Sequence, residues 1–410
     1  MTALRSSSSR STPKDLMHTR DSARAFMPYP DVDVPHASSG PLAGLSFAVK
    51  DLFDVAGYPT SAGQPFVLAM SGIKTTSAAS VQRMLDAGAR FVGKTVTDEL
   101  AFSMNGQNAH FGSPVNGAAP DRITGGSSSG SASAVSQGLC DVAIGSDTGG
   151  SVRAPANHCG LVGLRPTHGR VSLQGAHDLA PSFDTCGWFT RDVATFARVA
   201  DVLLGDDPAP LPAERIRLLA PIDVWSLLAP EVIEAQRGLR ARVEAALGAA
   251  SPVEVALDGF DAMYWSFRYP MGREAWRTDG ALIERFHPPL GPGVQQRFAW
   301  ASGVSDAQVA EGTALRARFR AHLAALLGRD GVLVMPTMPD VAPLASADEA
   351  SLEDYRNLAT KMLCIAGLAG FPQLSLPLGS RLGAPLGISL LGPAGSDRSL
   401  VRLGERIMAA

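Results

Sequence analysis

Two glycine- and serine-rich turns constrain this chain most: GGSSSGS at residues 125–131 and GSDTGGSVR at residues 145–153. Glycine lets the backbone bend sharply and approach its neighbours closely, and each turn adjoins a run of different hydrophobic period. The first opens an alanine-rich, helix-like segment, and the second ends a short apolar run at residues 141–145 that reads as a buried strand. Before them, residues 45–49 read as a strand, 76–87 as a helix and 90–92 as another strand. The alternation returns with strands at 216–219 and 332–335, a helix at 231–247 and a closing strand-turn-helix at 386–407. An α/β fold is predicted, with one large twisted mixed β-sheet as core and α-helices over both faces, and with its chemistry on the turns.

The chain has 410 residues, 45% hydrophobic and 18% charged, which suits a large buried core and excludes disorder or a fibre. Its net charge of −3 comes without long basic or acidic runs. Counterion-driven binding to nucleic acid or to a membrane surface is therefore not expected, and the ligand should be a small molecule. A homodimer stays open as the assembly. Cys140, Cys159, Cys186 and Cys364 show no C-x-x-C spacing and read as reduced core residues. His158 adjoins Cys159, but sequence neighbours point apart and no second pair follows, so neither a metal nor a cofactor is expected. No stretch reaches the roughly 18 apolar residues of a membrane span, and no signal-peptide core is present, which predicts a cytoplasmic protein.

Residues 1–39 read as an N-terminal segment, partly disordered, and residues 40–410 as a single domain. Within 1–20, Arg5, Arg10, Lys14 and Arg20 lie among serines with one acid, Asp15; we read a disordered tail rather than a transit segment. Residues 205–330 have few glycine turns and carry Trp225, Trp265, Trp276 and Trp300. They read as a variable helical region covering the site, its aromatics packing long helices onto the sheet.

The second turn is the place for a nucleophile, Ser151. Glycines beside it expose backbone N–H groups, and those of Thr148, Gly149, Gly150 and Ser151 form a concavity suited to an oxyanion. A helix starting after Ser151 would add a positive field where negative charge develops. A serine hydroxyl needs a base, but the eight histidines are scattered and none adjoins either turn. Lys50 ends the apolar run LSFAVK, where desolvation would lower its pKa towards the neutral form. Most lysines at strand ends merely reach solvent, so position alone leaves the base open.

Across residues 40–192 the chain resembles the amidase signature family almost continuously. The blocks are GPLAGLSFAVKDLFDVAGYPT, GKTVTDELAFSMNGQNAHFGSPVN, GGSSSGSASAV and GSDTGGSVRAPANHCGLVGLRPTHGRVS; VLVMPTMP, GFPQLSLPLG and GAPLGISLLGP follow later. The resemblance implies a single amidase-signature domain, with Lys50 as base, Ser151 as nucleophile and Ser127, after a cis peptide, as the serine between them. It implies no cofactor. Asp147 and Arg153 fall on family positions and read as an ion pair fixing the loop. Asp51, Asp98 and Glu99 read as hydrogen-bond partners behind the site, and Ser128 and Ser129 as members of that network or as helix caps.

Other motifs fit less well. Residues 126–130 match G-x-S-x-G, which would make Ser128 the nucleophile, yet the last histidine is His322 and no HGGG-type segment exists. Ser71 and Lys74 match S-x-x-K without ordered partner motifs. A P-loop needs lysine where Ser131 stands.

Within the family the chain is similar to compact indole-3-acetamide hydrolases, through GKTVTDELAFSMNGQNAHFGSPVN, GGSSSGS and SFDTCGWFTRD. That resemblance implies a small neutral aryl or alkyl primary amide as substrate, with Met104, Ser128 and Trp188 at the pocket. Alternatives are a glutamine-hydrolysing subunit of a tRNA-dependent amidotransferase, usually longer and working with partner chains, and an amidase or esterase acting on anilides or carbamates. A catalytically silent binding subunit is disfavoured because Lys50, Ser127 and Ser151 are all in place.

Overall fold

The computed structural model describes residues 22–213 and 215–410. Its strands are β1 (Ser46–Lys50), β2 (Arg90–Thr95), β3 (Val142–Asp147), β4 (Val162–Arg165), β5 (Thr185–Thr190), β6 (Arg217–Pro221), β7 (Ser251–Val253), β8 (Gly331–Pro336), β9 (Gln373–Arg381) and β10 (Ala384–Leu391). They form one ten-stranded sheet in the order β2-β1-β3-β5-β4-β9-β10-β8-β6-β7. β1 runs parallel to β2 and β3, and β6 runs parallel to β7 and β8. The middle of the sheet, from β3 through β5, β4, β9 and β10 to β8, is antiparallel. The predicted mixed sheet is present.

The helices are α1 (Pro65–Ser71), α2 (Ala79–Asp86), α3 (Ser129–Ser136), α4 (Arg153–Cys159), α5 (Val193–Leu203), α6 (Ile222–Trp225), α7 (Pro230–Leu247), α8 (Phe260–Phe286), α9 (Pro292–Ser302), α10 (Asp306–Leu327), α11 (Glu349–Ala369) and α12 (Asp397–Ala409). Alternation along β9 shows how two faces are covered. Gln373 points towards α4, where Arg153 Nη1 donates to its Oε1 at 2.7 Å. Leu374 and Leu376 point the other way, against Gly404 of α12. Every residue of β3, β5 and β8 is buried, as sheet strands covered on both faces should be.

Four strands escape a reading of periodicity. β4 and β7 have four and three residues, and β9 carries Pro377, a residue that argues against a strand. β5, TCGWFT, has no inside-outside alternation because both its faces are buried. Residues 205–330 are not helical alone, since they also supply β6 and β7.

The boundary at residue 40 is too late. Ala23 and Ala25 are fully buried, Val96 N donates to Ala25 O and Met27 N to Lys94 O, both at 2.9 Å. Residues 25–27 thus pair with the open edge of β2, where unpaired backbone groups need partners. Residues 1–21, and with them the expected disordered tail, lie outside the described residues. Among those described, no helix is long and apolar enough to cross a membrane.

Candidate active site

Because β1 and β3 are neighbouring parallel strands, they deliver their C-terminal ends side by side. Such ends, followed by turns, are where open α/β sheets place their sites. β1 ends on Lys50, fully buried, and β3 ends on Ser146 and Asp147 before the turn to α4. Lys50 Nζ donates to Ser127 Oγ at 2.7 Å and to Ser146 Oγ at 2.9 Å. Burial lowers the Lys50 pKa to about 7, against the opposing charges of Asp98, Asp184 and Asp147. The lysine is therefore held close to its neutral form.

Ser127 follows a cis peptide from Gly126 and lies in the turn before α3. Its carbonyl accepts from Asp98 N at 3.0 Å and from Thr97 Oγ1 at 3.0 Å. Gly126 must be glycine, because a Cβ there would stand 2.3 Å from Asp98 Oδ2. Burial drives the Asp98 carboxyl upwards, opposed by the Gly106 N–H. Gly126→Ala is expected to destabilise by about 1–3 kcal/mol through overpacking and to lower turnover, measurable by thermal melting and ammonia release.

Ser151 is 6% exposed and lines a small cavity of about 50 Å³ with Thr148, Gly149 and Met104. Lys50 and Ser127 stand behind that wall. Ser128 N donates to Ser151 O at 3.4 Å, tying the two turns together. Among the described residues no side-chain hydrogen bond joins Ser127 to Ser151; such contacts commonly tighten only when substrate is bound.

Asp147 holds the turn that carries Ser151 in shape. Its carboxylate accepts from Gly150 N at 2.9 Å and Val152 N at 3.1 Å, and from Arg153 Nη2 at 2.8 Å and Arg165 Nη1 at 3.0 Å. Burial opposes its ionisation, but Arg153 and Arg165 hold the carboxyl far below the usual range. The expected Asp147–Arg153 pair is present, and Arg165 completes it. Since the Gly150 N–H is given to Asp147, it is not free for an oxyanion, which leaves Thr148, Gly149 and Ser151 as the candidates among the expected donors. Thr148 is fixed in turn by Asp184, to which its Oγ1 donates.

The other expected residues divide. Met104 lines the cavity, and its sulfur would lie 3.1 Å from a Cβ on Gly150. Ser128 does not reach the pocket: its Oγ donates to Ser146 O at 3.1 Å and accepts from Ser146 N at 3.2 Å, bolting α3 to β3. Trp188 is also misplaced by the sequence reading. It is fully buried in β5, stacked on Phe196 with ring centroids 4.7 Å apart. Asp51 is 2.7 Å from Lys94 and accepts from Tyr29 and Ser61, behind Lys50. Glu99 accepts from Gly291 N at 2.8 Å and lies 2.8 Å from His110 Nε2. Of the rejected motifs, Ser71 Oγ accepts from Thr60 N, and Lys74 lies 3.5 Å from Asp54 near the surface.

Sequence reading missed Ser146, Arg165 and Asp184, and the far wall of the cavity: Phe267, Arg268 and Met271 of α8 with Arg356 and Thr360 of α11. Ser146 could have been found, since it precedes the turn on the strand beside Lys50.

A family model described as Amidase matches residues 18–254 and 271–401. Amidase 1 of Arabidopsis thaliana is 38% identical over 424 residues, covering 96% of this chain and 100% of that protein. Outer envelope protein 64, chloroplastic, of the same plant is 33% identical over 91% of this chain and 67% of its own length. A solved crystal structure of an amidase superposes with a TM-score of 0.85 at 29% identity, covering 97% of this chain and 94% of the other. These matches join the fold and the paired turns to one conclusion: the chain belongs to the amidase family and is an amide hydrolase.

Proposed function

We propose that the protein hydrolyses a small primary carboxamide to the carboxylic acid and ammonia, through an acyl-enzyme on Ser151. The observation that carries this reading is the 2.7 Å contact between a buried, near-neutral Lys50 and Ser127, beside a turn whose serine opens onto a cavity. On this reading Ser151 Oγ attacks the carbonyl carbon while its proton passes to Ser127, and the Ser127 proton passes to Lys50 Nζ. The carbonyl oxygen becomes an oxyanion held by the N–H groups of Thr148, Gly149 and Ser151. Collapse breaks the C–N bond, and the proton returns from Lys50 through Ser127 to the leaving nitrogen. Water then attacks the ester by the same relay and frees Ser151. Cys159, Cys186 and Cys364 are buried free thiols, which suits the reducing cytoplasm as the place of reaction.

The pocket wall favours a compact acyl group, since Phe102, Met104, Leu179, Phe267 and Met271 are apolar. Lys50→Ala is expected to cut amide hydrolysis about 10²–10⁴-fold and to spare an activated ester, whose leaving group needs no proton. Equal losses on both substrates would defeat the relay. Because the base acts when neutral, kcat/KM for amides should rise with pH through about 7 and level above it. A profile flat from pH 6 to 9 in the wild type would remove Lys50 from the role.

A further inference from the structure

We propose that Asp98 is a positioning residue for this reaction: its backbone fixes the Ser127 turn, its carboxylate fixes the loop that carries Met104, and its charge acts on Lys50, so that cavity wall and base are set together. This rests on the reading of Lys50 as the base. β1 and β2 end side by side, with Lys50 opposite Thr95, so the turn after β2 runs past the amine. Asp98 stands in that turn, fully buried.

Its N–H donates to Ser127 O at 3.0 Å, while Lys50 Nζ donates to the Oγ of the same serine at 2.7 Å. Its Oδ2 accepts from Gly106 N at 3.0 Å, and Gly126 N donates to Met104 O at 2.9 Å, which ties residues 104–106 to the turn before α3. Leu100 and Ala101, successive non-glycine residues at φ 50° and 54°, turn the loop back onto Asp98. Left-handed backbone of this kind persists only where neighbours over-determine it, here through Ala101 N to Asp98 O at 3.0 Å and Leu100 N to Ala62 O at 2.8 Å. Gly106 lies at φ 77° without room for a side chain, since a Cβ would stand 2.2 Å from Thr124 Oγ1. The loop has one seat, and Asp98 anchors it.

The carboxylate is only half used by the loop. Oδ1 accepts no well-formed hydrogen bond among the described residues, although the Ser103 and Ser129 hydroxyls are near enough to favour its charge. A buried carboxylate oxygen in that state is costly unless a cation balances it. Lys50 and Arg297 are the cations that feel it, and Arg297 Nε donates to Phe102 O of the same loop. The other acids about Lys50 have partners of their own. Asp147 is balanced by Arg153 and Arg165, Asp184 accepts from Thr148, Leu179 and Ala180, and Asp51 lies 2.7 Å from Lys94. Burial pushes Asp98 and Lys50 each towards the neutral form, so each charge is supported by the other.

The test follows the rate at which phenylmethanesulfonyl fluoride labels Ser151 in the purified full chain from about pH 5 to 9, read by mass spectrometry. Wild-type labelling should rise through about pH 7 as Lys50 becomes neutral. Asp98→Asn keeps an oxygen for Gly106 N and removes the charge that favours the ammonium, so the rise should move about one pH unit lower. At about pH 6 the variant should then reach about five times the fraction of its own plateau rate that wild type reaches, a gain that loss of a scaffold would not give. Asp98→Ala also frees Gly106 N. Hydrogen–deuterium exchange of residues 104–106 should therefore quicken about tenfold or more in Asp98→Ala and stay near wild type in Asp98→Asn. Should Asp98→Asn not fold, Asp98→Ser, which also keeps an oxygen, is held to the same shift. A rise that stays at the wild-type pH, or loop exchange no faster in Asp98→Ala than in Asp98→Asn, overturns the proposal and leaves Lys50 as base. Wild-type labelling that ignores pH, or never occurs, overturns the reading of Lys50 and the proposal with it.

Discussion

Ser151→Ala is expected to lower amide turnover by about 10⁴–10⁶-fold while leaving the protein folded. The substitution removes one oxygen from a side chain that is 6% exposed and opens onto the cavity, so little packing is lost. The hydrogen bonds that fix the turn, Gly150 N to the Asp147 carboxylate and Ser128 N to Ser151 O, do not involve the hydroxyl. The melting temperature should therefore move by no more than about 2 °C. Turnover is read as ammonia released per mole of enzyme, beside a melt of the same sample. A variant that keeps even a tenth of wild-type activity would show that the nucleophile lies elsewhere. A variant that loses activity and melts early would leave the loss attributable to the fold, and Ser151→Cys, which restores a nucleophile, separates the two: residual covalent labelling there marks the position.

Asp147→Ala carries the largest expected effect on stability. It strips the carboxylate from between two fully buried guanidinium groups, Arg153 and Arg165, and frees the Gly150 and Val152 N–H groups. Removing one partner of a buried charge set typically costs about 3–5 kcal/mol, which for a chain of this length shifts melting by about 5 °C. Asp147→Asn keeps the shape and loses only the charge, so it should fall between the two. The sign of the pH effect follows from the depressed carboxyl. Its contribution is fully present above the ordinary carboxylate range and is lost only as pH falls through the much lower folded value. Wild type should thus lose this contribution only in strong acid, and the alanine variant should lack it at every pH. An unchanged melting temperature would mean that Leu363 O, Gln373 and Phe183 O, which also accept from these arginines, suffice without the carboxylate.

The residues that sequence made legible share one property: their chemistry is written locally. Ser151 and its neighbours stand in a glycine turn, and the strand leading to Lys50 is a continuous apolar run. The sequence points to Lys50 as base only through family resemblance, because nothing local tells a buried lysine from one reaching solvent. Its burial comes from β2 and β3 on either side, contacts that no window of residues contains. Arg165 and Asp184 were invisible for the same reason, since each acts on the turn at 147–148 from another strand or loop. Trp188 misled because an aromatic residue in a motif-rich stretch looks available for a ligand. It sits in a strand buried on both faces, where the ring fills space against Phe196. Ser128 misled by standing beside Ser127, although adjacent side chains on such a turn face different partners.

The proposed reacting groups and the far wall of the cavity belong to different lengths of polypeptide. Lys50, Ser127 and Ser151 are carried by β1, the turn before α3 and the turn after β3, whereas Phe267, Arg268 and Met271 belong to α8. Inheritance can therefore act on the two separately. Substitutions along one helix would retune which compounds fit and leave the proposed proton path, anchored in the sheet, untouched. A lineage built this way changes its diet without relearning its chemistry.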